Sequence, residues 1–279
     1  MNIQKNDLVQ IGRVRQYMKT EILYLSATNT TKAIVWAIAK GLKGEIQFTD
    51  ITRPENRQEY QETNCDLMLL AVPIYGERIP RFLYDFFCKI PGNGRMLAVV
   101  SVYGNMGFGI SLVQFQKLAV KNNFRLIAAG AFVGQHTYAS DKAPVAYGRP
   151  DSRDLNQAHI FGKNIQKKVE TKDTRQITLP KTILPRFIIN FPDSGTRFLI
   201  RQPRIDAAIC NHCGACARRC PTEAINAKTL QIQESKCLRC YACVRVCPKD
   251  ARVAEFCLPF MAKVFYRIGR KRKENRTFL

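Results

Sequence analysis

Eleven cysteines stand in this 279-residue chain, and eight of them fall into one pattern used twice. Cys210, Cys213, Cys216 and Cys220 are followed by Pro221; Cys237, Cys240, Cys243 and Cys247 are followed by Pro248. Three thiolates spaced two residues apart can wrap one corner of a 4Fe-4S cubane, while the fourth, beyond a helical turn, reaches a second cluster. The spacing therefore predicts crossed ligation, with Cys210, Cys213, Cys216 and Cys247 on one cluster and Cys237, Cys240, Cys243 and Cys220 on the other. Gly214 leaves room for the backbone to come close to the first of these. Zinc sites take Cys-x2-Cys knuckles separated by a longer loop, and four cysteines within 11 residues, repeated, is a different arrangement. Disulfides belong to exported chains, and residues 1–20 contain no continuous apolar core and no small-residue cleavage site. Cys65, Cys88 and Cys257 read as small buried hydrophobes.

The second set of chemical residues lies in loops, whose position follows from the strands before them. Short apolar runs at 21–25, 45–51, 66–73, 96–102 and 124–133 read as strands buried on both faces, with helical spacing near 80–88, 109–122 and 154–169. Five strands alternating with helices predict an α/β fold: a doubly wound, parallel, five-stranded sheet covered on both sides by right-handed crossovers. Ligands of such sheets collect beyond the carboxyl ends of the strands. After the first strand come Ser26, Ala27, Thr28, Asn29, Thr30 and Thr31, whose hydroxyls and N–H groups lead into a helix and suit either a phosphate or a plain N-cap. After the third come Pro73, Ile74, Tyr75 and Gly76, and after the fourth Val102, Tyr103, Gly104 and Asn105. Each pairs an aromatic ring with glycine, an arrangement fit to stack a planar heterocycle and bond its edge. His136, after the fifth strand, is a weak candidate proton donor whose alternative is a structural hydrogen bond. No glycine fingerprint of the dinucleotide type opens a helix, so a built-in nicotinamide site is not supported.

Three loops in this order resemble the flavodoxin-like fold over residues 18–170. The resemblance implies FMN, its phosphate held by Ser26, Thr28, Asn29, Thr30 and Thr31 and its ring by Pro73–Gly76 and Val102–Asn105. More narrowly, Pro73 to Pro80, Val102 to Asn105, Ala131 to Tyr138 and Gly148-Arg149-Pro150-Asp151 resemble the flavodoxin–ferredoxin fusion proteins of anaerobic prokaryotes. One departure is that Ala27 and Asn29 stand at the glycine positions of the Ser-Gly-Thr-Gly-Asn-Thr loop of relatives, and Thr30 at the asparagine position. Asparagine enters the left-handed region more readily than most residues, so Asn29 is expected to keep the loop path. Residues 204–255 resemble the two-cluster bacterial ferredoxin module, a small α+β domain.

The domain organisation follows: an extension at 1–17 with Met18 as an alternative start, the α/β domain at 18–170, a linker at 171–203, the ferredoxin domain at 204–256 and a tail at 257–279. The proline-punctuated linker is expected to lie on the surface, with Phe187, Ile188 and Ile189 docked on one domain. In the tail, Met261, Val264, Phe265 and Ile268 share one helical face and Lys263, Arg267, Arg270 and Lys271 another. This basic amphipathic helix either packs back on its own protein or meets an acidic partner or an anionic membrane surface.

Lys plus Arg number 44 against 22 Asp plus Glu, a formal charge of +22. Residues 1–180 carry 24 − 15 = +9 and residues 181–279 carry 20 − 7 = +13. Such a field favours anionic partners. No apolar stretch reaches the roughly 18 to 20 residues of a membrane-spanning helix, and a cytoplasmic location is expected. Arg218, Arg219, Arg239, Arg245, Lys249 and Arg252 lie among the motif cysteines and are expected to raise cluster potentials.

The combination predicts an electron-transfer iron–sulfur flavoprotein serving a partner oxidoreductase with an acidic docking surface. One alternative is an FMN-dependent reductase with a substrate of its own, its pocket lined by Tyr75, Tyr103 and His136. Another is a redox-responsive, non-catalytic binding protein, for which no nucleic-acid recognition motif is present.

Overall fold

A computed structural model describes residues 18–141, 143–180 and 197–279. The expectations for 1–17 and for Phe187, Ile188 and Ile189 lie outside the described residues.

The first unit runs β1 (Lys19–Tyr24), α1 (Thr30–Ala39), β2 (Glu45–Asp50), α2 (Pro54–Gln58), β3 (Leu67–Pro73), α3 (Arg81–Phe87), β4 (Met96–Tyr103), α4 (Ser111–Lys121), β5 (Arg125–Val133) and α5 (Ser152–Glu170). The strands pair in parallel in the order β2-β1-β3-β4-β5, the arrangement of flavodoxin-like doubly wound sheets. The apolar runs of β1, β3, β4 and β5 are buried as their composition dictates, whereas β2, expected to be buried on both faces, is an edge strand with no buried residue, Phe48 being 40% exposed. Alternate residues of β3 serve two cores, Met68, Leu70 and Val72 with α3 and α4 on one face, Leu67, Leu69 and Ala71 with α1 and α5 on the other. Each fully buried Leu or Ile is worth about 1.5–3 kcal/mol relative to exposure.

The sheet has six strands rather than the five expected. The sixth, β8 (Arg276–Phe278), comes from the C-terminal tail and pairs antiparallel with β5, Ala129 opposite Phe278 and Ala131 opposite Arg276. Without it, β5 would present a long apolar edge, the kind that invites pairing with other chains. Three residues inside a basic run carry no alternation from which a strand could be read.

Gly148-Arg149-Pro150-Asp151 anchors the tail. Asp151 and Asp154 form a reciprocal capping box at the start of α5. Arg149 holds Asp154 with two guanidinium bonds, the Nε one at 2.8 Å, and donates Nη1 to the carbonyl of Lys273 at 2.7 Å. The Arg149 and Asp154 side chains are 4% and 1% exposed, so each charge depends on the other. Asn275 continues the network, donating to Asp154 and Gln157 and accepting from the N–H of Val133.

The second unit comprises β6 (Arg204–Ile205), α6 (Ala215–Arg218), a 3-10 turn at Glu234–Lys236, α7 (Ala242–Arg245) and β7 (Arg252–Val253), with β6 and β7 antiparallel. Before it, Ile177 and Leu179 are buried against the α3/α4 core. After it, α8 (Phe260–Gly269) leads to β8. Among the described residues, no helix is long and apolar enough to cross a membrane.

Replacing Arg149 with Met leaves the Asp154 carboxylate buried without its main partner. The α/β unit should lose about 3–5 kcal/mol, read as a lower unfolding midpoint in urea followed by far-UV circular dichroism. An unchanged midpoint would show that the pair does not hold the tail.

Candidate functional site

The two cysteine motifs are structural repeats at an offset of 27 residues, Cys210 matching Cys237 and Cys220 matching Cys247. The backbone repeats with them. His212, Gly214 and Glu223 have positive φ of 54°, 71° and 50°, and their counterparts Arg239, Tyr241 and Asp250 have 55°, 54° and 52°. Gly214 and Tyr241 each cap a one-turn helix, α6 or α7. Tyrosine in the left-handed region is strained, and Tyr241 is held there by its hydroxyl, which donates to the carbonyls of Arg201 (2.9 Å) and Glu255 (3.1 Å). At the end of each motif a backbone N–H points at sulfur, Ala224 to Cys220 and Ala251 to Cys247, both at 3.2 Å.

Two small cavities result. One is lined by Cys210, Cys213, Cys216 and Cys247, with Gly214 and Arg252; the other by Cys220, Cys237, Cys240 and Cys243. Thus the fourth cysteine of each motif sits with the first three of the other. Among the described residues no three His, Cys, Asp or Glu side chains converge tightly enough for a single metal ion; the sulfurs ring a volume. Arg239 and Arg252 are only 7% and 4% exposed, and Arg239 Nε and Nη1 and Arg252 Nε have no hydrogen-bond partner. Burial pushes the Cys240 thiol up to about 12.

Beyond the carboxyl ends of β1, β3, β4 and β5 lies a third, larger cavity of about 330 Å³. Its walls include Thr28, Thr30 and Thr31 from the first loop, Pro73, Ile74, Tyr75 and Gly76 from the second, and Val102, Tyr103 and Gly104 from the third. Ser26, Asn29 and Asn105, expected around a cofactor, do not line it. The Ser26 hydroxyl accepts from the N–H of Lys32 at 3.0 Å, capping α1. Asn29 adopts φ 64°, the left-handed conformation expected of it. Asn105 serves the tail, donating Nδ2 to the carbonyls of Gly269 (2.7 Å) and Lys271 (2.9 Å) and accepting from the N–H of Lys273 (3.0 Å).

The remaining wall was not legible as a site in the sequence. Leu199, Ile200 and Phe256 approach from the segments flanking the iron–sulfur unit, and Met261, Val264, Phe265 and Ile268 from α8. The expected apolar face of the tail helix is the signal that existed, but nothing in its spacing says which surface it meets.

His136 belongs to this wall. Its Nδ1 accepts from the N–H of Tyr138 at 3.1 Å, and its ring meets Phe265 edge-on with centroids 4.6 Å apart. Burial, with Arg245 nearby, pushes its pKa down to about 3, so the imidazole is neutral at ordinary pH. Gly104 is required here, since a Cβ would lie 2.7 Å from the His136 Cγ and 2.9 Å from its Cα. Burial likewise raises the Tyr75 hydroxyl well above 10, and Cys240 and Tyr138 add to the effect.

The two units meet along a seam. Thr137 donates its hydroxyl to the Cys240 carbonyl, and Tyr138 donates to the Arg239 carbonyl at 2.9 Å. Arg245 reaches the carbonyls of His136 (3.3 Å), Thr137 (3.3 Å) and Ala139 (2.5 Å). The rings of Tyr138 and Tyr241 pack 5.0 Å apart. On the far side Arg57 donates to the Pro221 carbonyl at 2.7 Å, and Arg219 to the loop after β1. The Cys220/Cys237/Cys240/Cys243 cavity therefore adjoins the 330 Å³ cavity, while Cys213 of the other set is exposed.

Residues 202–248 match the model of the 4Fe-4S dicluster domain family. The chain thus joins a sheet with flavodoxin-like strand order to a segment similar to 4Fe-4S dicluster domains. No curated protein matches the chain. Solved structures similar to it include a flavodoxin from the domain Archaea, at 16% identity over 55% of this chain and 99% of that one, with a TM-score of 0.39. Flavodoxin 2 from Bacillus cereus aligns at 16% identity over 54% and 99%, with a TM-score of 0.39. The rubredoxin oxygen:oxidoreductase of the anaerobe Desulfovibrio gigas aligns at 11% identity over 58% of this chain but only 39% of its own, with a TM-score of 0.41.

Because the folded pKa of His136 lies below the unfolded value near 6.5, the unfolded chain takes up the proton first. The histidine's contribution to stability is complete above about pH 6.5 and is lost as pH falls from there toward 3. The His136 ring proton shifts should stay constant from about pH 5.5 to 8. A titration midpoint near the ordinary value would mean that water reaches the ring freely.

Proposed function

We propose that this chain is an electron-transfer protein of the flavodoxin–ferredoxin fusion type, relaying electrons between two 4Fe-4S clusters and FMN, to or from a partner oxidoreductase. The observation that carries it is the seam, at which Thr137 and Tyr138, lining the cavity at the strand ends, bond the carbonyls of Cys240 and Arg239 beside a four-cysteine cavity. One cluster would be held by Cys210, Cys213, Cys216 and Cys247, the other by Cys237, Cys240, Cys243 and Cys220. The residues present suit that cargo. Eight thiols in two sets of four supply the donors, and the unpartnered N–H groups of Arg239 and Arg252 supply buried positive charge for an anionic cluster.

FMN would be held by the Ser26–Thr31 loop at its phosphate and by Pro73–Gly76 and Val102–Gly104 at its ring. Once bound, FMN exchanges one or two electrons and each cluster one, which couples a two-electron reaction to single-electron carriers. The chain's own contribution is position and exclusion. Thr137 and Tyr138 line the strand-end cavity and bond the Cys240 and Arg239 carbonyls, so protein atoms bridge the two cavities. Met261, Val264 and Phe265 of α8 roof the larger cavity with apolar groups. Neutral His136 keeps a formal charge off its wall. Exposed Cys213 accepts at its carbonyl from Arg218 Nη1 at 2.8 Å, and exposed Arg218 offers positive charge suited to an acidic redox partner, which would exchange electrons at the outer cluster.

A second reading, an FMN-dependent reductase with its own substrate, is favoured by the apolar roof, where a small planar acceptor would fit against Tyr103 and His136. Steady-state turnover separates the two. A carrier reduces small acceptors slowly unless a partner protein is supplied.

Iron, acid-labile sulfide and acid-released flavin, measured anaerobically on one purified sample, test the assignment. The expected result is about eight irons, eight sulfides and one FMN per chain. Half the iron and sulfide would remove the two-cluster assignment, and absent flavin would leave an iron–sulfur protein with a differently used α/β unit. Replacing Arg239 with Gln should lower the potential of the cluster nearer the flavin by roughly tens of millivolts and leave the other unmoved. Redox titration followed by electron paramagnetic resonance reads both, and an unmoved or raised potential would show that the buried charge does not tune it.

A further inference from the structure

We propose that Arg219, a residue of the iron–sulfur domain, builds the phosphate end of the flavin site and so holds the chain's discrimination between FMN and riboflavin. The inference rests on the reading above, that flavin occupies the cavity at the strand ends.

Arg219 directly precedes Cys220, yet its guanidinium leaves its own domain. Nε donates to the carbonyl of Ala27 at 2.9 Å, and Nη2 to the carbonyl of Ser26 at 2.8 Å and to Asn29 Oδ1 at 2.6 Å. Three acceptors on one four-residue loop are thus taken by one rigid, planar fork. A trans peptide unit points its N–H opposite its C=O. With the carbonyls of Ser26 and Ala27 turned toward Arg219, the N–H groups of Ala27 and Thr28 are turned away from it, and both residues line the cavity. They join the hydroxyls of Thr28 and Thr30 and the start of α1, whose dipole favours an anion.

The loop lacks the glycines that would let it take this course unaided. Ala27 has a Cβ, and Asn29 is held at φ 64°. Arg219 supplies from outside what the loop sequence does not: it fixes two peptide planes and ties down the Asn29 side chain. It also places a permanent positive charge behind the N–H groups that would face the phosphate. Arg219 is therefore a positioning residue for a dianionic phosphate ester, acting from the domain that carries the clusters.

The experiment is a pair of fluorescence titrations, FMN and riboflavin, on flavin-depleted but cluster-loaded full-length protein under anaerobic conditions. Wild type should prefer FMN. Arg219→Ala should weaken FMN by about 10- to 100-fold, the scale of charge-assisted bonds, while changing riboflavin less than about twofold. Arg219→Lys should recover part of the preference, since it keeps the charge and loses the fork. Should Arg219→Ala fail to accumulate, Arg219→Gln carries the same test. Arg57→Ala, which removes a different bond across the seam, should leave the FMN-to-riboflavin ratio as in wild type. Equal loss of both flavins in the Arg219 variants, or no loss of either, overturns the proposal. Wild-type protein that takes up neither flavin overturns the flavin reading itself.

Discussion

Every part of this molecule depends on how the carbonyl groups at one end of a parallel sheet are satisfied. Strands that run side by side in one direction deliver all their following loops to the same edge, and those loops carry backbone oxygens that no neighbouring strand can take. Here arginine side chains take many of them. Arg219 and Arg245 reach out of the iron–sulfur unit to the loops after β1 and β5, Arg57 reaches in the other direction, and Arg149 binds the tail. The guanidinium group suits the task because several donors lie in one plane and its charge persists at any ordinary pH. A chain with a formal charge of +22 has arginine to spare, and a portion of that excess works as internal scaffolding rather than as a field for partners.

The iron–sulfur unit imposes a second constraint. Two short motifs with the same backbone path must each surrender their fourth cysteine to the other, so neither half is complete alone. The small core around Cys216, Ile225, Leu230 and Cys243 is too slight to organise this unaided. The seam adds what the core lacks: Ala242 is buried and Cys240 half-buried against the core of the α/β unit. The two halves are not used alike. The half bearing Tyr241 faces the neighbouring domain and carries a large aromatic at the position where the outward half has Gly214.

Much of this was legible in the sequence, for physical reasons that differ by element. The cysteine spacing is local and chemically exacting, so the repeated motif was legible as an iron–sulfur motif, and residues 202–248 match that family. Four of the strands were visible because burial on both faces demands uninterrupted apolar runs; β2, expected to be buried likewise, is an edge strand with no buried residue, its Glu45 and Gln47 facing water. What stayed hidden was long-range and polar. The sixth strand is three residues with no periodicity. Asn105 looked like a cofactor contact because it follows a strand and a glycine, yet its amide is consumed by the tail. Arg219 and Arg245 read as charges beside the motif cysteines, expected to raise cluster potentials; their bonds to the other unit stayed hidden, since a guanidinium's partners there are backbone oxygens on distant loops, which no pattern of side chains announces. The apolar face of α8 was plain, but its target depended on where β8 would pin the chain.

The position of β8 bears on how the protein is made. The strand that seals the free edge of β5 follows the whole iron–sulfur unit in the chain, so during synthesis that edge stays bare while residues 134–275 emerge from the ribosome. In that interval the cysteine-rich segment is tethered beside a half-finished sheet, and the α8 roof is not yet closed. Only when Asn105 and Arg149 have bound the tail and β8 has paired with β5 is the wall that α8 gives the strand-end cavity in place.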